Sequence, residues 1–201
     1  MATSFYPLPP DLDEDIQHHA KEVQRFLSGD LSPLIFKARR VPRGIYEQRV
    51  NGTYMVRVRH PGGRLTPAHA RAVADLARRY GSGSIHVTDR QDLQIHDVKI
   101  EDTPAVLRAL AAAGLAARGG GGNTVRNVAA CPLAGRCPAE PFDVGPYVAA
   151  VTGYLVALPG SYNLPRKYKL AFSGCAADCA LTQVADLGFV ARGRDGVAGF
   201  T

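Results

Sequence analysis

The stretch "TYMVRVRHPGGRLTPAHARAVADLARRYGSG" (53–83) decides how the first half of the chain folds. Its opening alternates. Tyr54, Val56 and Val58 fall on one face, and Met55, Arg57 and Arg59 on the other, the period of a half-buried strand. "PGG" ends that strand. Thr66 then reads as a helix N-cap and Pro67 as the first helical residue. Val73, Leu76, Ala77 and Tyr80 share one apolar face, and Gly81 stops the helix. Downstream, "SIHVT" (84–88) and "LQIHDV" (93–98) read as short strands joined by the polar "DRQD" (89–92). "TPAVLRALAAAG" (103–114) repeats the Thr-Pro start and the Gly stop. The order β-α-β-β-α predicts an α+β layer with helices on one face of a mixed sheet.

Upstream, residues 1–35 read as an arm with a short helical stretch near Asp13–Leu27. "FKARRVPRGIYEQR" (36–49) is broken by Pro42 and Gly44 and reads as a loop running into a strand. "RGGGGNTVRN" (118–127) is a glycine-rich break. It divides the chain into an arm (1–35), a first lobe (36–118) and a second lobe (119–201). In the second lobe a helix is expected at Val144–Leu158 and the turn "LPGSYNLP" at 158–165. A strand "KYKLAFS" (167–173) and another near "DLGFVAR" (186–192) follow. The chain stops at "GVAGFT" (196–201) without an evident cap.

Lys and Arg total 24 against 18 Asp and Glu, a formal charge of +6. Such a balance suits nucleic acid, membrane surfaces or small anions. The basic residues are scattered, with no run of five, which fits a small-anion pocket better than a nucleic-acid tail. No apolar run reaches the roughly 18 residues of a membrane span. The start, "MATSFYPLPPDLDEDIQ" (1–17), is acidic and proline-rich, unlike a secretory signal. A cytoplasmic setting, without membrane or nucleic acid, is therefore expected.

All four cysteines lie in two pairs, "ACPLAGRC" (130–137) and "SGCAADCA" (173–180). A cytosolic chain keeps few stable disulfides. Zinc sites use C-x₂₋₄-C in at least one pair. The five-residue gap between Cys131 and Cys137 is wide for that, and the three-residue gap between Cys175 and Cys179 is not. An iron–sulfur cluster wants four thiolates spread around it. Small neighbours (Ser173, Gly174, Ala176, Ala177, Ala180) would let backbone approach a bulky inorganic group. Spacing alone leaves cluster, zinc and unliganded thiols open.

Four stretches join the cysteine pattern to a known family: "YMVRVRHPGG" (54–63), "VTDRQDLQIH" (87–96), "NTVRNVAACP" (123–132) and "LPRKYKLAFSGC" (164–175). With them the chain resembles the sirohaem and 4Fe-4S nitrite/sulfite reductases, assimilatory and dissimilatory. The resemblance implies a ferredoxin-like first lobe and a mixed α/β sirohaem/4Fe-4S second lobe. It implies six-electron reduction of sulfite to sulfide or nitrite to ammonia, with sirohaem and a 4Fe-4S cluster as cofactors. By motif position it places anion-binding roles on Arg59, Arg126, Lys167 and Lys169. It places sirohaem contacts on Arg90, Gln94 and His96, and cluster ligands on Cys131, Cys137, Cys175 and Cys179, the last also bridging to the sirohaem iron.

Cationic donors aimed at a small oxyanion would bind it and favour loss of its oxygen. Lys167 and Lys169, two apart on an expected strand, would share a face. Asp89 departs from the family, which more often has Thr or Asn there. A carboxylate beside an anionic macrocycle is unfavourable unless it points away or pairs with Arg90. The resemblance further implies an electron donor such as ferredoxin or a reductase subunit. Because the family's catalytic unit has two related halves, it also implies a second half-unit or homodimer, this chain being a partial one that ends early. The alternative is an iron–sulfur electron relay or partner subunit without sirohaem chemistry of its own. A zinc-stabilised nucleic-acid binder lacks the interleaved aromatics and clustered basic residues that such a role needs.

Overall fold

The computed structural model describes residues 4–201, so residues 1–3 of the expected arm lie outside the described residues. The chain builds two sheets, each with its own apolar core.

The first sheet contains β1 (Ile45–Glu47), β2 (Thr53–Val58), β3 (Ile85–Val87) and β4 (Leu93–Lys99), in the order β1-β2-β4-β3. Every pairing is antiparallel. The expected mixed sheet is thus corrected for this lobe. β2 and β3 run the same way, joined by the helix between them, but β4 is inserted between them and pairs antiparallel with both, so no neighbouring pair is parallel. Val56 and Val58 are fully buried, as the alternation requires, and pack with Ile95 and Val98 of β4.

Three helices cover this core: α1 (Leu12–Leu27), α3 (Pro67–Tyr80) and α4 (Thr103–Ala112). In α3 the Thr66 hydroxyl accepts from the His69 N–H at 3.0 Å, the cap read from sequence. In α4 the expected cap residue is itself helical. A 3₁₀ turn (Ile100–Asp102) runs directly into the helix, and the Thr103 hydroxyl donates instead to the Ile100 carbonyl. The segment expected to be a loop from residue 36 contains part of α2 (Pro33–Arg40), capped by Ser32 with Pro33 at its first position. Its two turns are too short to register as an apolar period.

The arm is not loose over its described residues. Leu12, Ile16, His19 and Val23 of α1 are buried, on one helical stripe. Glu22, 1% exposed, accepts from Arg43 at 2.6 Å and from Arg39 at 2.8 Å. Burial pushes the Glu22 carboxyl up, but Arg43 and Arg39 outweigh it and hold it below its ordinary value. His19 contacts the Thr103 hydroxyl at 2.9 Å and is pushed down to about 3 by burial, then by Arg43. A folded-state pKa below the unfolded one means stability held above pH ~6.5 and lost as pH falls toward His19's folded value. Urea midpoints should therefore show wild type losing ground to His19→Gln as the pH drops from about 6.5 to about 4.

The second sheet contains β5 (Ala129–Ala130), β6 (Leu170–Ser173), β7 (Leu187–Arg194) and β8 (Val197–Phe200). β5, β6 and β7 run parallel, and β7 and β8 form an antiparallel hairpin. α5 (Gly145–Ala157) covers the core through Val148, one residue inside each expected end. Phe172 and Phe189 stack at 4.5 Å, and Phe200 meets both edge-on. The closing segment, for which the sequence offered no evident cap, is therefore a packed strand. β6 begins only at Leu170. Lys167 and Lys169 precede it and flank Tyr168, which bridges to Val125.

Among the described residues no helix is long and apolar enough to cross a membrane.

Candidate functional site

The site lies where two turns of the first lobe grip the segment that leads to the first cysteine pair. One turn follows β2. Arg59, 2% exposed, donates to the carbonyls of Val125 (2.9 Å), Arg118 (3.3 Å) and Arg126 (3.3 Å). The Gly62 N–H donates to the Val128 carbonyl at 2.9 Å. The other turn joins β3 to β4. Arg90 donates to the carbonyls of Leu170 (2.7 Å) and Asn127 (3.0 Å). Gln91, held at φ 61°, exchanges two hydrogen bonds with the backbone of Ala130, one residue before Cys131. Asn127 donates back to the carbonyls of His60 and Arg90. These polar side chains fix the register between the lobes.

Gly119 shows how tight the grip is. It sits at φ +75°, and a Cβ there would run into the Arg59 guanidinium. Gly119→Ala should lower stability by about 1–3 kcal/mol, measured by denaturant unfolding, because left-handed strain and displacement of Arg59 add together.

The grip gathers charge. Arg57 lies opposite Gln94 across β2 and β4. With the Gln94 amide turned so that its oxygen faces Arg57, it accepts at 2.6 and 3.1 Å. Asp92, 1% exposed, stands 3.7 Å from Arg57. Burial pushes its carboxyl up to about 6 against the pull of Arg59, Arg57 and Arg126. Burial lowers the pKa of both Arg90 and Arg126. Four arginines thus surround one buried carboxylate, and several of their neighbours lack partners. Arg90 Nε, Arg126 Nε, Asp92 Oδ1 and Asn127 Oδ1 are all buried without a hydrogen bond. Unpaired donors on buried cations suit an anion with many acceptor oxygens.

Sequence reading placed Arg59, Arg90, Arg126 and Gln94 here. It put Arg57 on the face of Arg59 without a ligand role, and it missed Asp92 and Asn127 as members. Arg57 and Asp92 carry a signal in hindsight, being the charged residues on or beside the strand face that holds Gln94. Asn127 carries none. His96 lies further along β4. Its Nδ1 contacts Gln48 at 3.1 Å, and its Nε2 is buried without a partner. Asp89 is exposed and makes no ion pair with Arg90 among the described residues, though its charge bears on the Arg90 guanidinium. Lys167 and Lys169 line a separate cavity of about 400 Å³ with Asn123, Arg166 and Asp186. The Arg126 N–H donates to the Tyr168 carbonyl at 2.8 Å, so that cavity adjoins the arginine cluster through one backbone pairing.

The cysteines leave the carboxyl ends of two neighbouring parallel strands, where open α/β sheets hold their ligands. Cys131 follows β5, and its N–H donates to the Phe172 carbonyl at 2.9 Å. Cys175 lies just past β6. Both are buried, Cys137 is half-buried and Cys179 is exposed; all four are free thiols. Burial pushes the Cys131 thiol up, and the neighbouring Cys179 and Cys137 add to it. The second loop is braced. The Asp178 carboxylate accepts from the Ser173 hydroxyl at 2.7 Å and the Thr182 N–H at 2.9 Å. Among the described residues no three His, Cys, Asp or Glu side chains converge on one metal ion. A single zinc would need thiolates about 3.8 Å apart, given Zn–S bonds of about 2.3 Å. A cubane spreads its four ligands wider, and here Cys179 and Cys137 lie near enough to Cys131 to bear on its thiol.

An α+β protein with two thiol-bearing loops beside a buried cluster of arginines is the class this architecture defines. Residues 46–113 match the nitrite/sulfite reductase ferredoxin-like half domain, and residues 121–201 match the nitrite and sulphite reductase 4Fe-4S domain. The chain belongs to the nitrite/sulfite reductase family, whose enzymes use sirohaem and a 4Fe-4S cluster. It is 36% identical over 163 residues to a ferredoxin–nitrite reductase of Synechococcus elongatus, covering 78% of this chain and 32% of that protein. It is 31% identical over 157 residues to an assimilatory ferredoxin-dependent nitrite reductase of Haloferax mediterranei, covering 72% and 27%. The chain therefore spans about a third or less of these relatives. Among solved structures, the Mycobacterium tuberculosis NirA protein has the same fold, with a TM-score of 0.76 at 24% identity over 96% of this chain and 40% of that one. A dissimilatory sulfite reductase I also shares it, with a TM-score of 0.66 at 17% identity, covering 94% and 47%.

Proposed function

We propose that the chain supplies one half of a sirohaem-dependent reductase that takes nitrite to ammonia or sulfite to sulfide by six-electron transfer. The observation that carries this reading is the single segment 118–131. It holds Arg126 and Cys131, and both turns of the arginine cluster grip it. Bound sirohaem would supply a binding iron, and the cluster would pass on electrons from an external donor. The chain's own residues would do the rest. Arg90, Arg57 and Arg126 would hold the macrocycle's carboxylates, with Gln94 and His96 along the same strand. Arg59 and Arg126 would keep the anion side cationic, and Lys167 and Lys169 would draw a small oxyanion in. Cys131, Cys137, Cys175 and Cys179 would ligate the cluster, with Cys179 also bridging to the sirohaem iron.

The division into an arm (1–35), a ferredoxin-like lobe (36–118) and a sirohaem/4Fe-4S lobe (119–201) belongs to the same proposal. So do a cytoplasmic setting, a ferredoxin-like donor and completion by a second half-unit or a second copy. A basic surface suits an acidic electron carrier.

Anaerobic reconstitution with iron, sulfide and sirohaem tests the reading. Soret and red-region bands, together with nitrite or sulfite consumption driven by a reduced viologen dye, are expected once a dimer or second half is present. A broad brown shoulder without those bands would instead favour the electron-relay alternative. A strictly monomeric preparation with full turnover would overturn the half-unit proposal.

A further inference from the structure

Asp92 is the carboxylate inside the arginine cluster, and the chemistry above gives it no role. It closes the β3–β4 turn, with its N–H on the Thr88 hydroxyl at 3.0 Å. The nearest cation, Arg57, is 3.7 Å from Oδ2, and Oδ1 has no partner. A backbone N–H of His60 also bears on the carboxylate. The groups facing it come from every neighbouring element: Arg57 from β2, Arg59 and His60 from the turn after it, Arg90 from its own turn, Arg126 from the gripped segment and Tyr6 from the arm. A buried carboxylate in such company would normally form close ion pairs. This one is left half-satisfied, beside cations whose own Nε donors are unpaired.

We propose that Asp92 couples entry of an anion into the arginine cluster to the uptake of one proton. This rests on the reading of the cluster as an anion site. An arriving carboxylate or oxyanion competes with Asp92 for the same guanidinium groups. Two adjacent negative charges repel, and protonating Asp92 removes the repulsion. Linkage makes the effect reciprocal, so a bound anion raises the proton affinity of Asp92 by the factor that a bound proton raises anion affinity.

The neighbours leave Asp92 alone in the relevant range. Burial lifts its carboxyl to about 6, against Arg59, Arg57 and Arg126. Burial pushes the Tyr6 hydroxyl up to about 12 and the His60 imidazole down to about 4, so both stay neutral near pH 7. The sign follows. Above Asp92's pKa its negative charge weakens anion binding, and below it the neutral acid strengthens binding. Each anion thus brings a proton into the site that holds it.

The test uses the purified chain with two probes, nitrite and the polycarboxylate uroporphyrin. Wild type should bind at least one of them about tenfold more weakly at pH ~8 than at pH ~5.5, the consequence of a one-unit pKa difference between free and bound states. D92N should lose that dependence and bind more tightly than wild type at the higher pH. An effect with nitrite assigns the proton to the oxyanion, and an effect with uroporphyrin assigns it to the macrocycle's carboxylates. The ¹³C signal of the Asp92 carboxyl in wild type, titrated with and without probe, gives a readout that needs no variant; its midpoint should move up on binding. A flat wild-type profile, the same slope in D92N, an unmoved midpoint or no binding of either probe overturns the proposal. Inactivity of the reconstituted enzyme with the coupling intact would instead count against the reductase reading alone.

Discussion

Cys179→Ser should abolish stable iron incorporation, from about four atoms per chain after reconstitution to near none, while leaving the fold intact. Cys179 is the exposed member of the set, so exchanging its sulfur for oxygen disturbs no packing. What changes is ligand chemistry. Iron in a cubane is held by soft thiolates, and a serine hydroxyl is harder and stays protonated near neutral pH. The local scaffold would remain, because the Asp178 bridge to Ser173 and Thr182 does not involve Cys179. Iron analysis and visible absorption measure the loss, and circular dichroism with an unchanged unfolding midpoint shows that folding is not its cause. Cys175→Ser should lose the cluster as well, but Cys175 is buried, so a fall in stability would accompany it. Full iron retention in Cys179→Ser would remove Cys179 from the ligand set.

Much of the fold was legible because its signals were local. The alternation of Tyr54, Val56 and Val58 put the right residues in the core, and Thr66, Pro67 and Gly81 bounded α3 where the chain bounds it. What stayed hidden depends on contacts distant in sequence. α2 draws its stability from Phe36 packing on Phe26 and from Arg39 and Arg40 in ion pairs across the lobe, none of which gives a periodic signal in eight residues. β8 is held by Phe200 against Phe172 and Phe189, a cluster invisible until β6 and β7 lie parallel. The first sheet was misjudged because the strand–helix–strand order does bring β3 round to run the same way as β2, and only the insertion of β4 between them makes every neighbouring pair antiparallel.

The candidate site divides in the same way. Motif position singled out Arg59 and Arg90 as charged residues facing ligands. The structure gives each a second task, as donors to backbone carbonyls of the segment that carries Arg126 and Cys131. No sequence signal separates an arginine that meets a ligand from one that builds its pocket, because both need the same fork of donors. Asp92 escaped notice for a related reason. A lone Asp in a polar turn normally reads as a solvated turn residue, and only its burial beside four arginines distinguishes it.

Arg59→Ala should cost about 3–5 kcal/mol of stability, placing it among the most damaging single changes in the chain. The side chain is 2% exposed and delivers hydrogen bonds to three carbonyls, those of Arg118, Val125 and Arg126. Truncation leaves those acceptors buried without a donor and opens a void between the lobes. It also takes one positive charge from beside Asp92, so the remaining buried carboxylate is held less well. For a chain of this length such a loss lowers the thermal midpoint by roughly 10 °C. Arg59→Lys should recover only part of it, since a single ammonium cannot span three carbonyls that a planar guanidinium reaches together. Arg57→Ala provides the contrast. Arg57 is less buried, bonds to Gln94 in the cross-strand pair and makes only a long 3.7 Å ion pair with Asp92, so its removal should cost about 1–2 kcal/mol. Denaturant unfolding of the three variants under one buffer measures the order, with Arg59→Ala worst, Arg59→Lys intermediate and Arg57→Ala mildest. Equal losses from the two alanine changes would show that the grip on segment 118–126 does not depend on Arg59.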